Sequence, residues 1–270
     1  MLDLENRKPF TFHTGSLPVL VSFPHNGSFI PGALQELMTA DGQSSKDTDW
    51  FLDRLYDFPE LENGNKLIAE FSRYVIDLNR PADNVSLYPG QTTTGLVPET
   101  CFDGSQIYLD APPTSQEIEA RVENIWTPYH DQIRTRLDEI RQQHGFAVLI
   151  EAHSIRSQVP RLFPGTLPDF NVGTNNGASC DAELQDRIVN VLKAQNNYSH
   201  VVNGRFIGGY ITRHFGNPKN NISAVQFELS QATYLDEEKA QWDDANAAKV
   251  QAVFREIIQA IVKWNPNPAT

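Results

Sequence analysis

Apolar and polar positions along this chain follow two different periods, and the changes between them outline an α/β protein. Short apolar runs bounded by turn residues at Val19–Phe23, Lys66–Phe71, Phe146–Ile150 and Ala224–Leu229 predict buried strands. Tyr74–Leu78 predicts a continuation of the second strand after a bend. Helical spacing takes over at Asp47–Phe58, where Trp50, Phe51, Leu55 and Phe58 recur among charges and Asp49 and Asp53 fall on one helix face. Ser115–His144 is the longest helical stretch, with Ser115 as its expected N-cap, Glu117 and Glu119 in the first turn and Gly145 as the stop. Asp181–Gln195 and Asp236–Trp264 predict two further helices. Strand, helix and strand in alternation imply one α/β domain over residues 1–270. Near 81–113 and 156–180 the pattern gives way to Gly, Pro, Thr and Asn, which predicts long ordered loops over one edge of the sheet.

Three polar islands stand at the ends of apolar runs: Phe23-Pro24-His25-Asn26-Gly27, Glu151-Ala152-His153-Ser154 and Gln226-Phe227-Glu228-Leu229. Loops after the carboxyl ends of strands share one edge of an open α/β sheet, so residues distant in sequence converge there. Two histidines and a carboxylate suffice to hold zinc with a fourth position open for water, and an unliganded Glu beside them can move the water's proton. His25 and His153 are the candidate nitrogen ligands. The carboxylate ligand is to be found among Asp47, Asp49, Asp53 and Glu151; Asp49 is favoured as lying just inside the early helix, with Asp47 as its cap. Glu228, flanked by Phe227 and Leu229, is the candidate general base, since burial raises a carboxyl pKa toward the range useful for that work. A salt bridge to a nearby arginine is its structural alternative. Ser154 follows His153, but no Gly-x-Ser-x-Gly turn surrounds it.

Composition narrows the ligand. The 270 residues are 40% hydrophobic and carry a net charge of −12, with 22 Lys and Arg spread singly, so no basic stripe for nucleic acid is present. No segment has the ~20 apolar residues of a membrane span, and Met1–Phe10 lacks a signal-peptide core; a soluble, cytoplasmic protein is expected. Cys101 and Cys180 form no C-x-x-C pair and are read as free thiols. Oligomeric state is not legible. Arg73, Arg80, Arg156, Arg161, Arg205 and Arg213 fall beside irregular or strand-end stretches, whereas Arg121, Arg134, Arg136 and Arg141 sit on the long helix and read as surface. Guanidinium groups grip carboxylates bidentately, which implies a small acidic substrate. Asn79-Arg80 is the sharpest of these signals, His214 is a candidate pocket residue, and His130 and His144 are read as exposed.

Taken together, several segments resemble the N-formylglutamate amidohydrolase (deformylase) family of histidine catabolism. They are Ser22–Gly27, Asp47–Trp50, Ser72–Pro81, Ala152–Ser157, Leu167–Asn171, Asn203–Tyr210 and Gln226–Leu229. That family is similar to the zinc carboxypeptidases, whose Asn-Arg clamp, His-Ser ligand strand and Phe-Glu-Leu catalytic strand match Asn79-Arg80, His153-Ser154 and Phe227-Glu228-Leu229 here. The resemblance implies a mixed, mostly parallel central sheet flanked by helices, zinc-carboxypeptidase-like (phosphorylase/hydrolase-like). It also implies one zinc ion, or another divalent transition metal, on His25 and His153, with Glu228 as acid/base and Arg80 as carboxylate clamp. Ser28 stands where a His-x-x-Glu arrangement would place the acidic ligand. The implied reaction is hydrolysis of N-formyl-L-glutamate to formate and L-glutamate. Arg73 is the candidate for steadying the oxyanion, and the second substrate carboxylate requires a partner for Arg80 among Arg156, Arg205 and Arg213.

Overall fold

Residues 6–87, 90 and 93–266 are described by the computed structural model. Seven strands form one sheet: β1 (Phe10–His13), β2 (Val19–Phe23), β3 (Asn65–Ala69), β4 (Ala147–Ile155), β5 (Phe170–Gly173), β6 (His200–Val202) and β7 (Ile222–Ser230), in the order β1-β3-β2-β4-β7-β5-β6. The central run β3, β2, β4 and β7 is parallel, while β1 and β5 meet β3 and β7 antiparallel. A mixed, mostly parallel sheet is therefore present. Around it lie α1 (Gly32–Gln35), α2 (Ala40–Gln43), α3 (Leu52–Leu55), α4 (Ser115–Arg121), a π turn (Val122–Trp126), α5 (Thr127–His144), α6 (Ala182–Ala194), α7 (Tyr210–Phe215) and α8 (Asp244–Val262). A small hairpin of β8 (Leu235–Asp236) and β9 (Gln241–Trp242) precedes α8.

Both sheet faces are covered, which is why β2 and β4 read as continuous apolar runs. Val148, Ile150, Val225 and Phe227 pack under α6 and α8, joined by Leu184, Ile188, Phe254 and Ile257. The alternate positions Ala147, Leu149 and Ala224 pack on the other face with Ile133, Leu137 and Ile140 of α5 and with Val75 and Leu78. Side chains alternate along a strand with a period of two, so the same alternation that fills these cores turns Glu151, His153, Gln226 and Glu228 toward the α5 side.

Several expectations are corrected. Tyr74–Leu78 is a succession of turns rather than a strand; its apolar residues face the core from a loop. The Asp47–Phe58 helix shrinks to α3, because Thr48–Trp50 forms a turn and Phe51 adopts left-handed φ of 60°. Asp49 and Asp53 thus share no helix face, and Asp47 caps nothing. Thr114, not Ser115, is the N-cap of α4, in a reciprocal capping box with Glu117. The long helix does end at Gly145, with φ 81°, but it is interrupted by the π turn. The last helix begins only at Asp244, capped by Asp243. β1, β5, β6 and α7 were not anticipated; they are short, and β5 and α7 interrupt stretches rich in Gly and Asn. Met1–Glu5 of the N-terminal segment, residues 88–89 and 91–92 of the first long loop and residues 267–270 lie outside the described residues. Among the described residues no helix is long and apolar enough to cross a membrane.

Candidate active site

Adjacent strands bring the first members of the site together. In the parallel β4–β7 ladder His153 stands opposite Glu228 and Glu151 opposite Gln226. β4 and β7 run farther than their apolar runs alone suggest, so His153 and Glu228 lie inside strands rather than after them. His25 follows the end of β2, the neighbour of β4. Asp49 is tied to it through the backbone, its N–H donating to the His25 carbonyl at 3.0 Å.

The three side chains converge. Asp49 Oδ2 lies 3.0 Å from His153 Nδ1 and 3.8 Å from His25 Nδ1, and it also accepts the Ser154 N–H at 3.1 Å. One ligand atom from each of His25, Asp49 and His153 falls within 4.8 Å of the others, and all three residues are buried. The opposite ring nitrogens are anchored by carboxylates: His25 Nε2 to Asp77 Oδ1 at 2.6 Å and His153 Nε2 to Glu151 Oε1 at 2.7 Å. A carboxylate behind each imidazole fixes its ring and points Nδ1 inward, the arrangement of histidines that serve as metal ligands. Asp77 in turn accepts from Arg73 Nη2 at 2.8 Å, and Glu151 accepts the backbone N–H of Thr212 at 2.9 Å and its hydroxyl.

Electrostatics distinguish the two histidines. Burial, reinforced by Arg73, lowers the His25 pKa despite Asp77 and Asp49. Burial also opposes charge on His153, but Glu151 and Asp49 outweigh it and raise its pKa to about 10. A proton on His153 Nδ1 would therefore sit against Asp49, where a cation would compete for the same electrons. Asp77, although desolvated, is held well below the usual carboxylate range by His25, Arg73 and Arg80. Glu228 behaves oppositely: burial, with Asp49 and Glu151 adding to it, raises its pKa to about 8 against the pull of His153 and Arg73. Gln226 Nε2 donates to Glu228 Oε2 at 3.1 Å.

Two buried polar atoms fit a metal at this point. His25 Nδ1 and Asp49 Oδ1 have no hydrogen-bond partner, whereas buried polar atoms are ordinarily paired. Two imidazole nitrogens and one carboxylate form a donor set suited to catalytic zinc.

A cavity of about 70 Å³ opens over this group, its lining including His25, His153, Glu228 and Arg73 together with Asn79, Arg80 and Arg205. Arg80 is half-buried and donates to Thr94 O, Thr94 Oγ1 and Asn79 O at 2.9–3.2 Å. Arg205 donates Nε to Leu162 O at 3.0 Å. Asn79 accepts the Ile211 N–H at 3.0 Å and packs its amide nitrogen 3.0 Å from His153 Nε2. That packing needs Gly209, where a Cβ would meet the Asn79 side chain at 2.2 Å. Phe102 closes another wall, with the Arg73 guanidinium 4.7 Å from its ring centroid.

Other expected residues lie elsewhere. Arg156 is exposed and lines a separate cavity with Lys46 and Arg161. Arg213 donates to Gly208 O and Leu87 O and does not line the active-site cavity. His214 is exposed and stacked on Tyr210. Among the alternative ligands, Asp47 accepts from the Phe102 N–H, Asp53 is exposed, and Glu151 stands behind His153. Arg121 and Arg136, read as surface, are buried, as is His130. Sequence reasoning did not single out Asp77, Gln226 or Thr212. Spacing of two along a strand, in Glu151-x-His153 and Gln226-x-Glu228, was the available signal for the supporting residues on the strands.

A buried glutamate beside a His/Asp/His group, at the carboxyl edge of a mixed α/β sheet, is the layout of a hydrolytic enzyme. The family follows from sequence: residues 17–235 match the model of the N-formylglutamate amidohydrolase family, and the chain belongs to it. The N-formylglutamate deformylase of Pseudomonas putida is 46% identical over 259 residues, covering 95% of this chain and 97% of that protein. The N-formylglutamate deformylase of Pseudomonas aeruginosa is 45% identical over 256 residues, with 94% and 96% covered. In structure, N-formylglutamate amidohydrolase from Ralstonia eutropha superposes with a TM-score of 0.82 at 22% identity, covering 95% of this chain and 98% of its own. A gene product from Agrobacterium tumefaciens gives 0.71 at 20% identity, covering 94% and 95%. At those identities the structural likeness speaks to the fold.

Proposed function

We propose that this chain is a metal-dependent amidohydrolase that cleaves N-formyl-L-glutamate to formate and L-glutamate, a closing step of histidine degradation. The observation that carries the reading is one cavity lined both by Glu228, His25 and His153 and by Arg80 and Arg205. The two deformylase relatives support the substrate.

His25, Asp49 and His153 would hold the metal, with zinc favoured by the donor set and Co, Mn, Fe or Ni also accepted by such ligands. When bound, the ion supplies Lewis acidity to the formyl carbonyl and acidifies water. Arg80 and Arg205 take the two substrate carboxylates through guanidinium forks. Glu228, its pKa raised to about 8 by burial, accepts the proton of the attacking water and returns one to the departing amide nitrogen. The buried Arg73 Nε, which has no partner, is a donor for the developing oxyanion, and the bond from Nη2 to Asp77 fixes the guanidinium. Phe102, against the face of Arg73, forms the cavity wall beside that donor.

Formate release from N-formyl-L-glutamate, with N-acetyl-L-glutamate and N-formyl-L-leucine alongside, tests the reading before and after chelation. Release confined to N-formyl-L-glutamate and lost with the metal is expected. Turnover of the acetyl compound at a comparable rate would point instead to a broader deacylase, and undiminished turnover by metal-free protein would remove the metal from the mechanism.

A further inference from the structure

The helix from Ser115 to His144 carries a proline in its interior. Pro128 has no N–H to give the carbonyl of Asn124, and its ring crowds that carbonyl. The chain responds one turn earlier with the π turn Val122–Trp126, in which the Thr127 N–H reaches back to Val122 O. Such turns are rare and concentrate where function needs an altered helix face. Here the altered face is visible in two bonds. Arg121 Nη1 donates to Val75 O at 2.8 Å, and Trp126 Nε1 donates to Arg80 O at 2.8 Å.

Those donors are five residues apart, and so are the carbonyls they hold. In a regular α-helix five residues turn through ~500°, leaving the two side chains ~140° apart. The wider i to i+5 repeat of a π turn brings them back toward one face. Val75 to Arg80 is the segment that carries Asp77, Asn79 and Arg80, and it has no strand or helix of its own. Arg121 is 2% exposed, and its buried guanidinium meets both Val75 O and the Tyr108 side chain. The Trp126 ring is held in turn by His130, stacked at 3.7 Å between centroids.

We infer that the Pro128-induced π turn is a clamp that sets the active-site segment 75–80, with Arg121 and Trp126 as positioning residues acting at its two ends. Arg80 projects from the end that Trp126 holds, so Trp126 governs the carboxylate grip, and Arg121 governs the approach to Asp77. The catalytic consequence rests on the function proposed above; the mechanical one does not.

Two measurements test it. Trp126→Phe keeps an aromatic ring beside His130 and removes the N–H together with the second ring of the indole. It is expected to raise KM for N-formyl-L-glutamate about tenfold with kcat within about twofold, the effect of one lost positioning bond. In an Arg80→Ala background the same substitution should add nothing further, because its effect runs through Arg80. Hydrogen exchange is the second readout: amides of 75–80, among them the Asp77 N–H bonded to Leu96 O and the Arg80 N–H bonded to Asp77 O, should exchange faster in Trp126→Phe and Arg121→Met, with α5 unchanged. Unchanged exchange in 75–80, or loosening spread through α5, would overturn the clamp, as would a KM effect fully additive with Arg80→Ala. If the wild-type protein does not turn over N-formyl-L-glutamate, the functional reading fails by itself and the exchange result alone decides the clamp.

Discussion

Arg73 and Arg80 lie on one short segment and line one cavity, yet they are held in opposite ways. Arg73 is 6% exposed, paired with Asp77 at 2.8 Å and 3.8 Å from Asp49. Arg80 is half-buried, and its Nε, Nη1 and Nη2 donate to neutral oxygens, those of Thr94 and Asn79. A guanidinium paired with carboxylates belongs to an internal network and contributes geometry; one held by neutral oxygens is oriented while its charge stays available to an anion. In this way a protein of net charge −12 can attract an acidic substrate. Arg73, though on a loop, belongs to the charge network around the strand-built half that carries His153 and Glu228, whereas Arg80, in the loop-built half, carries the attraction.

The largest expected effect falls on the strand-built half. Glu228→Gln keeps the shape and the Gln226 contact region but removes the group that accepts and returns a proton. Turnover should drop by ~10²–10⁴, the usual contribution of a positioned acid–base group. Metal content, measured on the same sample, should remain that of the wild-type protein, since His25, Asp49 and His153 are intact. Retained turnover would take Glu228 out of its role.

Asp77→Asn comes next and reaches His25 and Arg73 through one carboxylate. Asp77 orients His25 by one oxygen and holds Arg73 by the other. Loss of a carboxylate behind a liganding histidine costs 10–100-fold in metal affinity in typical sites. Competition with a chromophoric chelator should show a weakening of about that size. Metal affinity equal to that of the wild-type protein would mean that Asp77 serves Arg73 alone and that the comparison between the halves is drawn too sharply.

Much of the strand-built half was legible in the sequence, and much less of the rest. β2, β4 and β7 announce themselves as apolar runs because both sheet faces are covered, and His25, His153 and Glu228 follow from where those runs stop. For Asp49 the expected helix fails: no helix presents it, and its place beside the histidines comes from a backbone bond to His25 and a bond from Ser154. A turn such as Thr48–Trp50 is stabilised by partners distant in sequence, which local periodicity does not encode. The interrupted helix shows the same limit from another side. Pro128 was in plain view, but what its π turn holds depends on a loop more than forty residues upstream. Arginines were the least legible. Chain position next to a loop does not say whether a guanidinium turns inward, as for Arg80 and Arg205, or outward, as for Arg156.

The smallest expected effect is therefore also the sharpest comparison. Arg80→Met should raise KM for N-formyl-L-glutamate by ~10–100-fold, the loss of one charge-assisted carboxylate contact. Arg156→Met should leave KM and kcat within about twofold, because an exposed group that touches no reacting partner contributes little. Arg156 is a sterner control than any helix-surface arginine. It follows His153 by three positions and lines the neighbouring cavity with Lys46 and Arg161, on the far side of Phe102. If Arg156→Met raised KM as much as Arg80→Met, the second carboxylate would reach past Phe102 into that neighbouring cavity, and Arg205 would lose its place as the partner of Arg80. If Arg156→Met is silent while Arg80→Met is not, the substrate's charge is met within the one cavity, where the neutral-oxygen cradle of Arg80 leaves positive charge to be met.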